Sequence, residues 1–157
     1  MRDIKYIVVH CTAGRDTQTV EQVKATFKAR GWKNPGYHYL IDRNGHIHNL
    51  LDENGVANGA QGYNQTGIHI SWIGGVDANL KPVDNRTVVQ KIMLKTLVKR
   101  MMKKYPKAKV CGHRDLSPDL NRDGKITPNE WTKACPCFDV RAEYKDFLTI
   151  NDLLICD

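Results

Sequence analysis

Six histidines and five cysteines are the groups in this 157-residue chain suited to transition-metal chemistry: His10, His38, His46, His48, His69 and His113, with Cys11, Cys111, Cys135, Cys137 and Cys156. A catalytic zinc site takes three ligands from imidazole, thiolate or carboxylate and keeps a fourth position for water, whose pKa the ion brings to about 7. The chain holds no H-E-x-x-H and no C-x-x-C, so spacing alone does not choose the three. His10 and His113 qualify because each sits just past a stretch that reads as a strand, a stiff platform; Cys135 qualifies because a loop can bring its thiolate beside them. Cys137 is an alternative thiolate. His46-Ile-His48 is a rival pair, since residues two apart in a strand share a face, but a solvated polar face opposite a buried Ile47 explains the same alternation. His38 and His69 also lie inside strands, where a hydrogen-bonded structural histidine is the plainer reading.

A second pattern suits a harder cation. Residues 119–130 fit D-x-[DN]-x-[DN]-G-x5-E, with Asp119, Asn121, Asp123, the carbonyl of Lys125 and Glu130 as the oxygen donors of a calcium loop and Gly124 at its sharp turn. Ser117-Pro118 stands where an entering helix should run, and no second loop pairs with this one. A buffer or sensor role is therefore not expected. Two readings remain: a structural calcium that stiffens the segment before Cys135, or a surface turn with solvated carboxylates.

The elements that must hold these residues are legible. Residues 4–9 read as a buried strand ending at His10, and Thr19-Val-Glu-Gln22 is a capping box opening a helix that stops at Gly31. Asn44-Gly45 between extended runs predicts a hairpin over 37–50. Three glycines among polar residues make 52–64 a long exposed loop, of the kind that shapes clefts. A strand over 67–73 follows. Thr87-Val-Val-Gln90 opens the longest helix, with a predicted apolar stripe of Val88, Ile92, Leu97, Met101 and Tyr105, ended by Pro106. A strand over 108–112 leads to His113, and 139–148 reads as a last helix. The order predicts one α/β domain over 1–157, a central mixed sheet flanked by helices, with the calcium-like segment as an insert.

Composition sets the bounds. Charged residues make up 26% and hydrophobic ones 41%, and no apolar run approaches the roughly 18 residues that cross a bilayer. An odd cysteine count favours a reducing compartment with free thiols or metal ligands. The net charge of +7 favours anionic partners. A nucleic-acid reading of the lysines on the long helix lacks the interleaved aromatics of a stacking platform, so no nucleic-acid partner is expected.

Eight motifs occur in one register: Ile7-Val-Val-His10-Cys-Thr-Ala13, Gly31-Trp32, Gly36-Tyr-His38, Asp42-Arg-Asn-Gly45, Gly62-Tyr-Asn64, Ile73-Gly-Gly75, Gly112-His-Arg-Asp115, and Lys133-Ala-Cys-Pro136 with Phe138-Asp139. Together they resemble the zinc-dependent N-acetylmuramoyl-L-alanine amidases related to phage amidase lysozymes and peptidoglycan recognition proteins. That resemblance implies hydrolysis of the bond between N-acetylmuramic acid and L-alanine in peptidoglycan. It implies His10, His113 and Cys135 as zinc ligands. Tyr37 and Lys133 match catalytic positions of the phage branch, Lys133 as the cation for the developing oxyanion and Tyr37 as a group that orients the nucleophile or carries a proton. His38, Asn64 and His69 are the expected substrate-contacting residues, His69 as a departure from the phage pattern. The calcium-like insert is a further departure. The other function class is a peptidoglycan-binding module without catalysis, against which Cys135 argues. A monomer acting on muropeptide without membrane insertion is expected. No signal peptide is legible, so the expected route is synthesis in the cytoplasm and release to the wall through a holin or secretion apparatus.

Overall fold

The computed structural model describes residues 1–148; Cys156 lies outside them. The chain runs β1 (Tyr6–Cys11), α1 (Val20–Ala29), β2 (Tyr39–Ile41), β3 (Ile47–Asn49), β4 (Gly67–Trp72), α2 (Val88–Lys104), β5 (Lys109–Gly112) and α3 (Val140–Glu143). One sheet has the order β3-β2-β4-β1-β5, with β1 parallel to both β4 and β5, β2 parallel to β4, and β3 antiparallel to β2. Parallel pairs need crossovers, which α1 and α2 supply. The expected α/β fold is present, with His10 inside the first strand rather than past its end.

Strand alternation divides the sheet into two unlike faces. Ile7 and Val9 of β1, Ile41 of β2, and Ile68, Ile70 and Trp72 of β4 join the larger core with α2 and α3. The opposite face carries Leu40 and Ile73, which pack on Val23 and Phe27 of α1. The alternate residues of β1 and β4 include His10, His69 and Ser71, buried beside Val8. A polar row is thus set into an otherwise apolar sheet.

Both capping boxes form: the Thr19 and Thr87 hydroxyls accept from the backbone N–H of Gln22 and Gln90, whose side chains accept from the cap N–H in return. The Asn-Gly turn forms too, with Gly45 at φ +84°. The buried face of α2 differs from expectation. It is Gln90, Leu94, Leu97, Val98 and Met101, while Val88 and Ile92 are 73% and 55% exposed. Gln90 belongs to the inner face because its amide donates to the carbonyls of Ile41 and Ile73, where β2 and β4 end. Burying each Leu or Val stabilises by about 1.5–3 kcal/mol, so the 94/97/98/101 stripe decides the rotation. The last helix is one turn, α3, capped by Asp139; Tyr144 and Leu148 beyond it still reach the core.

Two charged locks secure the loops. Arg86, its side chain fully buried, is bidentate to Glu143 (2.6 and 2.7 Å) and to Asp84 (2.8 and 2.8 Å), with its guanidinium 3.5 Å from the centre of the Phe138 ring. Such planar, fully paired geometry is what a buried arginine requires. Glu53 accepts from the hydroxyls of Tyr39 and Tyr105 and meets Lys104 Nζ at 2.6 Å, pinning loop 50–64 to the end of α2.

Candidate metal centre and cleft

His10 is the fifth residue of β1, and His113 opens a short 3-10 turn directly after β5. Because Val9 pairs with Gly112 in the parallel register, the next residue on each strand is a histidine, and the two imidazoles meet. Their Nδ1 atoms are 3.1 Å apart. Cys135 arrives from the far side of the 119–130 insert, its Sγ 3.8 Å from His10 Nδ1 and 3.2 Å from the Cys11 backbone N–H that donates to it. The Arg114 N–H donates to the Cys135 carbonyl at 2.8 Å, and Trp72 Nε1 donates to the Pro136 carbonyl at 3.2 Å. Gly112 makes room for this approach, since a Cβ there would stand 2.7 Å from Pro136 Cδ.

The donor set suits zinc. Tetrahedral bonds of ordinary length put two nitrogens about 3.3 Å apart and a nitrogen and sulfur about 3.6 Å apart, close to the 3.1 and 3.8 Å found. One ligand atom from each of the three residues lies within 4.8 Å of the others, the one such group among the described residues. Burial and the positive charge of Lys133 push His113 down to about 4; burial first, then the neighbouring His113, His69 and Lys133, hold His10 well below its usual range. Both imidazoles are therefore neutral at pH 7, the form that binds metal.

The three donors floor an open cleft of about 270 Å³ whose walls include Tyr37, Lys133, Phe27, Arg30, Trp32 and Asn58. Tyr37 donates its hydroxyl to the Cys11 carbonyl at 3.3 Å and packs edge-on against Phe27. Burial, then the nearby Cys135 and Cys11, raise its pKa far above the ordinary phenol range, so it is a proton donor and not a base. Lys133 is exposed at the rim. Sequence reasoning misses Arg30 and Asn58 and names Trp32 only as part of the Gly31-Trp32 motif: Arg30 reads as a helix end, although its guanidinium lies 5.0 Å from the Trp32 ring centre and Trp32 stacks on Phe27.

Other expected site residues fall elsewhere. His38 and His69 are both 0% exposed and sit behind His10, so the expectation of substrate contact is corrected. They occupy the polar row of the sheet, stacked at 5.9 Å with ring planes 7° apart. Asn64 does line the groove that continues the cleft beyond Lys133, but its Oδ1 accepts from the Ala60 N–H at 2.8 Å. Cys137 turns away from the donors toward Cys11, with the sulfurs 3.7 Å apart; none of Cys11, Cys111, Cys135 and Cys137 is in a disulfide. His46 and His48 share a face, as spacing predicts, and both address Asp42.

The calcium-like loop is spent on itself. Asp119 accepts from the N–H of Asp123 and Gly124, and Asp123 from that of Lys125. Glu130, which the pattern casts as the bidentate ligand, instead accepts from the N–H of Leu120, Asn121 and Thr127 and from the Thr127 hydroxyl. The turn over Asp119, Asn121, Asp123, Lys125 and Glu130 thus has its side-chain oxygens bonded to its own backbone amides.

Two imidazoles at the ends of adjacent parallel strands, with a thiol brought to them by a loop, make a donor set suited to a divalent cation on the floor of the cleft. The family described as N-acetylmuramoyl-L-alanine amidase matches residues 1–137, and the chain belongs to it. Its reaction is hydrolysis of the amide between N-acetylmuramic acid and L-alanine of peptidoglycan, and the enzyme reading is favoured over a binding module. A Haemophilus influenzae protein is 50% identical over 80 residues, 51% of this chain and 69% of that one. The endolysin of Escherichia phage T7 is 32% identical over 153 residues, 96% of this chain and 89% of the endolysin. Among solved structures, the Ph2119 endolysin from a Thermus scotoductus bacteriophage superposes with a TM-score of 0.68 at 24% identity, over 98% of this chain and 88% of that one.

Proposed function

We propose that the hydrolysis runs on zinc held by His10, His113 and Cys135, with Lys133 and Tyr37 as the catalytic side chains. The convergence of those three donors on the floor of the cleft carries the reading. Bound there, zinc supplies a nucleophile at neutral pH and a Lewis acid for the scissile carbonyl. Lys133, an exposed cation on the rim, stabilises the negative charge that builds on the carbonyl oxygen. Tyr37 keeps its proton and, by turning its hydroxyl from the Cys11 carbonyl toward substrate, donates a hydrogen bond that orients the attacking or leaving group. Phe27 and Trp32 give an apolar wall against which a sugar ring or acyl chain can lie, and Arg30 beside them offers a cation to the carboxylates of a peptide stem.

The ligand is muropeptide within the wall, and the chain acts as a monomer. Among the described residues no helix is long and apolar enough to cross a membrane. Delivery by a holin or secretion apparatus is the route this reading entails, supported by the phage endolysins among its relatives. A structural calcium in 119–130 has the residue pattern in its favour and the occupied Glu130 oxygens against it.

Digestion of purified sacculi and of small muropeptides, with mass analysis of the products, tests the whole reading. Zinc-loaded protein should release intact stem peptides beginning with L-alanine, and chelation should stop release until zinc is restored. Cleavage within the peptide or the glycan, or activity unchanged by chelation, would overturn it.

A further inference from the structure

We propose that His69 is a positioning residue that selects the tautomer in which His10 offers Nδ1 to the cation. The inference rests on the zinc reading of His10, His113 and Cys135. His10 Nδ1 is the nitrogen that faces the other two donors. A neutral imidazole that binds metal through Nδ1 must carry its proton on Nε2, and that atom lies 2.9 Å from His69 Nδ1 with both rings buried. His10 therefore donates and His69 accepts. A ligand imidazole whose second nitrogen is hydrogen-bonded is fixed in both orientation and proton position.

The surroundings of His69 are built to keep its Nδ1 in that place. The His69 backbone N–H donates to His38 Nδ1 at 3.0 Å, and His38 Nε2 donates to the Gly55 carbonyl at 3.0 Å, so the stacked partner ring has its own tautomer set. Gly59 and Gly67 leave room for the His69 ring: a Cβ at Gly59 would stand 2.2 Å from its Nδ1, and one at Gly67 2.8 Å from its Nε2. Having accepted at Nδ1, His69 carries its own proton on Nε2, and that buried atom has no hydrogen-bond partner among the described residues. A residue serving only to fill space would not leave a buried donor unsatisfied, because an apolar side chain there avoids that cost. Holding His10 is the use that offsets it.

Zinc affinity by competition with a chromogenic chelator tests the claim at fixed pH. His69→Phe keeps a ring but removes the acceptor, and should weaken zinc binding by about 10–100-fold. His69→Asn places Oδ1 where Nδ1 stood and should restore affinity to within a few fold. Should His69→Phe fail to fold, Gly59→Ala, which pushes the intact imidazole off its position, should give the same direction of loss. Nitrogen-15 spectra of the wild-type His10 ring supply a readout that needs no variant: the proton should sit on Nε2 in both the metal-free and the zinc-loaded protein. Wild-type affinity in His69→Phe, or a metal-free His10 protonated on Nδ1, would overturn the inference while leaving the zinc reading standing. If Cys135→Ser binds zinc as tightly as the wild type, the three-donor reading falls, and this inference falls with it.

Discussion

The ends of β1 and β5 and the 119–130 loop are both dense in cation-binding groups, yet they are in opposite states. At the strand ends, neutral imidazole nitrogens and a thiol face one another across 3–4 Å, held there by a buried parallel sheet. In the loop, each carboxylate has turned to backbone amides a few residues away. The strand-end donors come from residues far apart in sequence and are aimed at one point by the sheet and the backbone around it; the loop's carboxylates bond to amides only a few residues away. The difference teaches that a cation site is marked by donors the fold brings together from remote segments, more than by the number of donors.

The widest expected gap between the two regions is in turnover. Cys135→Ser should cost at least about a thousandfold in hydrolysis, on the scale of losing an activated nucleophile, and should spare muropeptide binding; Glu130→Gln should leave turnover within about twofold. Assays on sacculi with a binding control measure both, and a Glu130 effect as large as that of Cys135 would erase the distinction. Next in size, Lys133→Ala should lower kcat by about 10²-fold with little change in KM, as expected for a group that acts on the transition state.

Thermal melting sharpens the contrast further. Zinc at a hundred times its Kd stabilises by about 2.7 kcal/mol, which raises Tm by about 5–10 °C in a domain of this size, whereas millimolar calcium should leave Tm unmoved. A calcium-dependent rise would reinstate the loop as a cation site. A further contrast is the pH dependence of the metal-free protein. His113 and His69 have folded-state pKa values of about 4 and about 3, burial being the largest cause, against 6.5 when unfolded. The unfolded chain therefore takes up the extra protons. Stability is full above about pH 6.5 and declines as pH falls toward 4 and then 3, by at most about 1.4 kcal/mol per pH unit for each imidazole. Melting between pH 7 and 5 should show the decline, and replacing His69 by Asn should reduce its slope.

What could be read from the residues was mostly what local chemistry decides. The boxes at Thr19 and Thr87 and the Asn44-Gly45 turn involve neighbours in sequence, and each forms as expected. His10 and His113 are candidates from their places at strand ends and Cys135 from its loop, but only the family resemblance chooses the three, because His10 and His113 meet across 103 residues of sequence. The α2 stripe was misplaced since Val, Ile, Leu and Met lie around much of that helix, and the sheet face it covers selects among them. His38 and His69 were read as substrate contacts. The alternation Ile68-His69-Ile70-Ser71-Trp72 does place polar residues on one face, yet whether that face meets solvent or a second buried layer is set by α1 and loop 52–64 packing over it.

The insert joins the body at a narrow neck: the Thr132 N–H donates to Ser117 Oγ at 3.1 Å, and Arg114 bonds the Cys135 carbonyl at 2.8 Å. Chain entering and leaving there is already held together, so the length between those points is nearly free, because closing a longer loop adds only about 0.6 kcal/mol per doubling. The neck is accordingly a graft point. A foreign wall-targeting peptide or a fluorescent reporter could hang from it while the strand ends beneath keep their spacing.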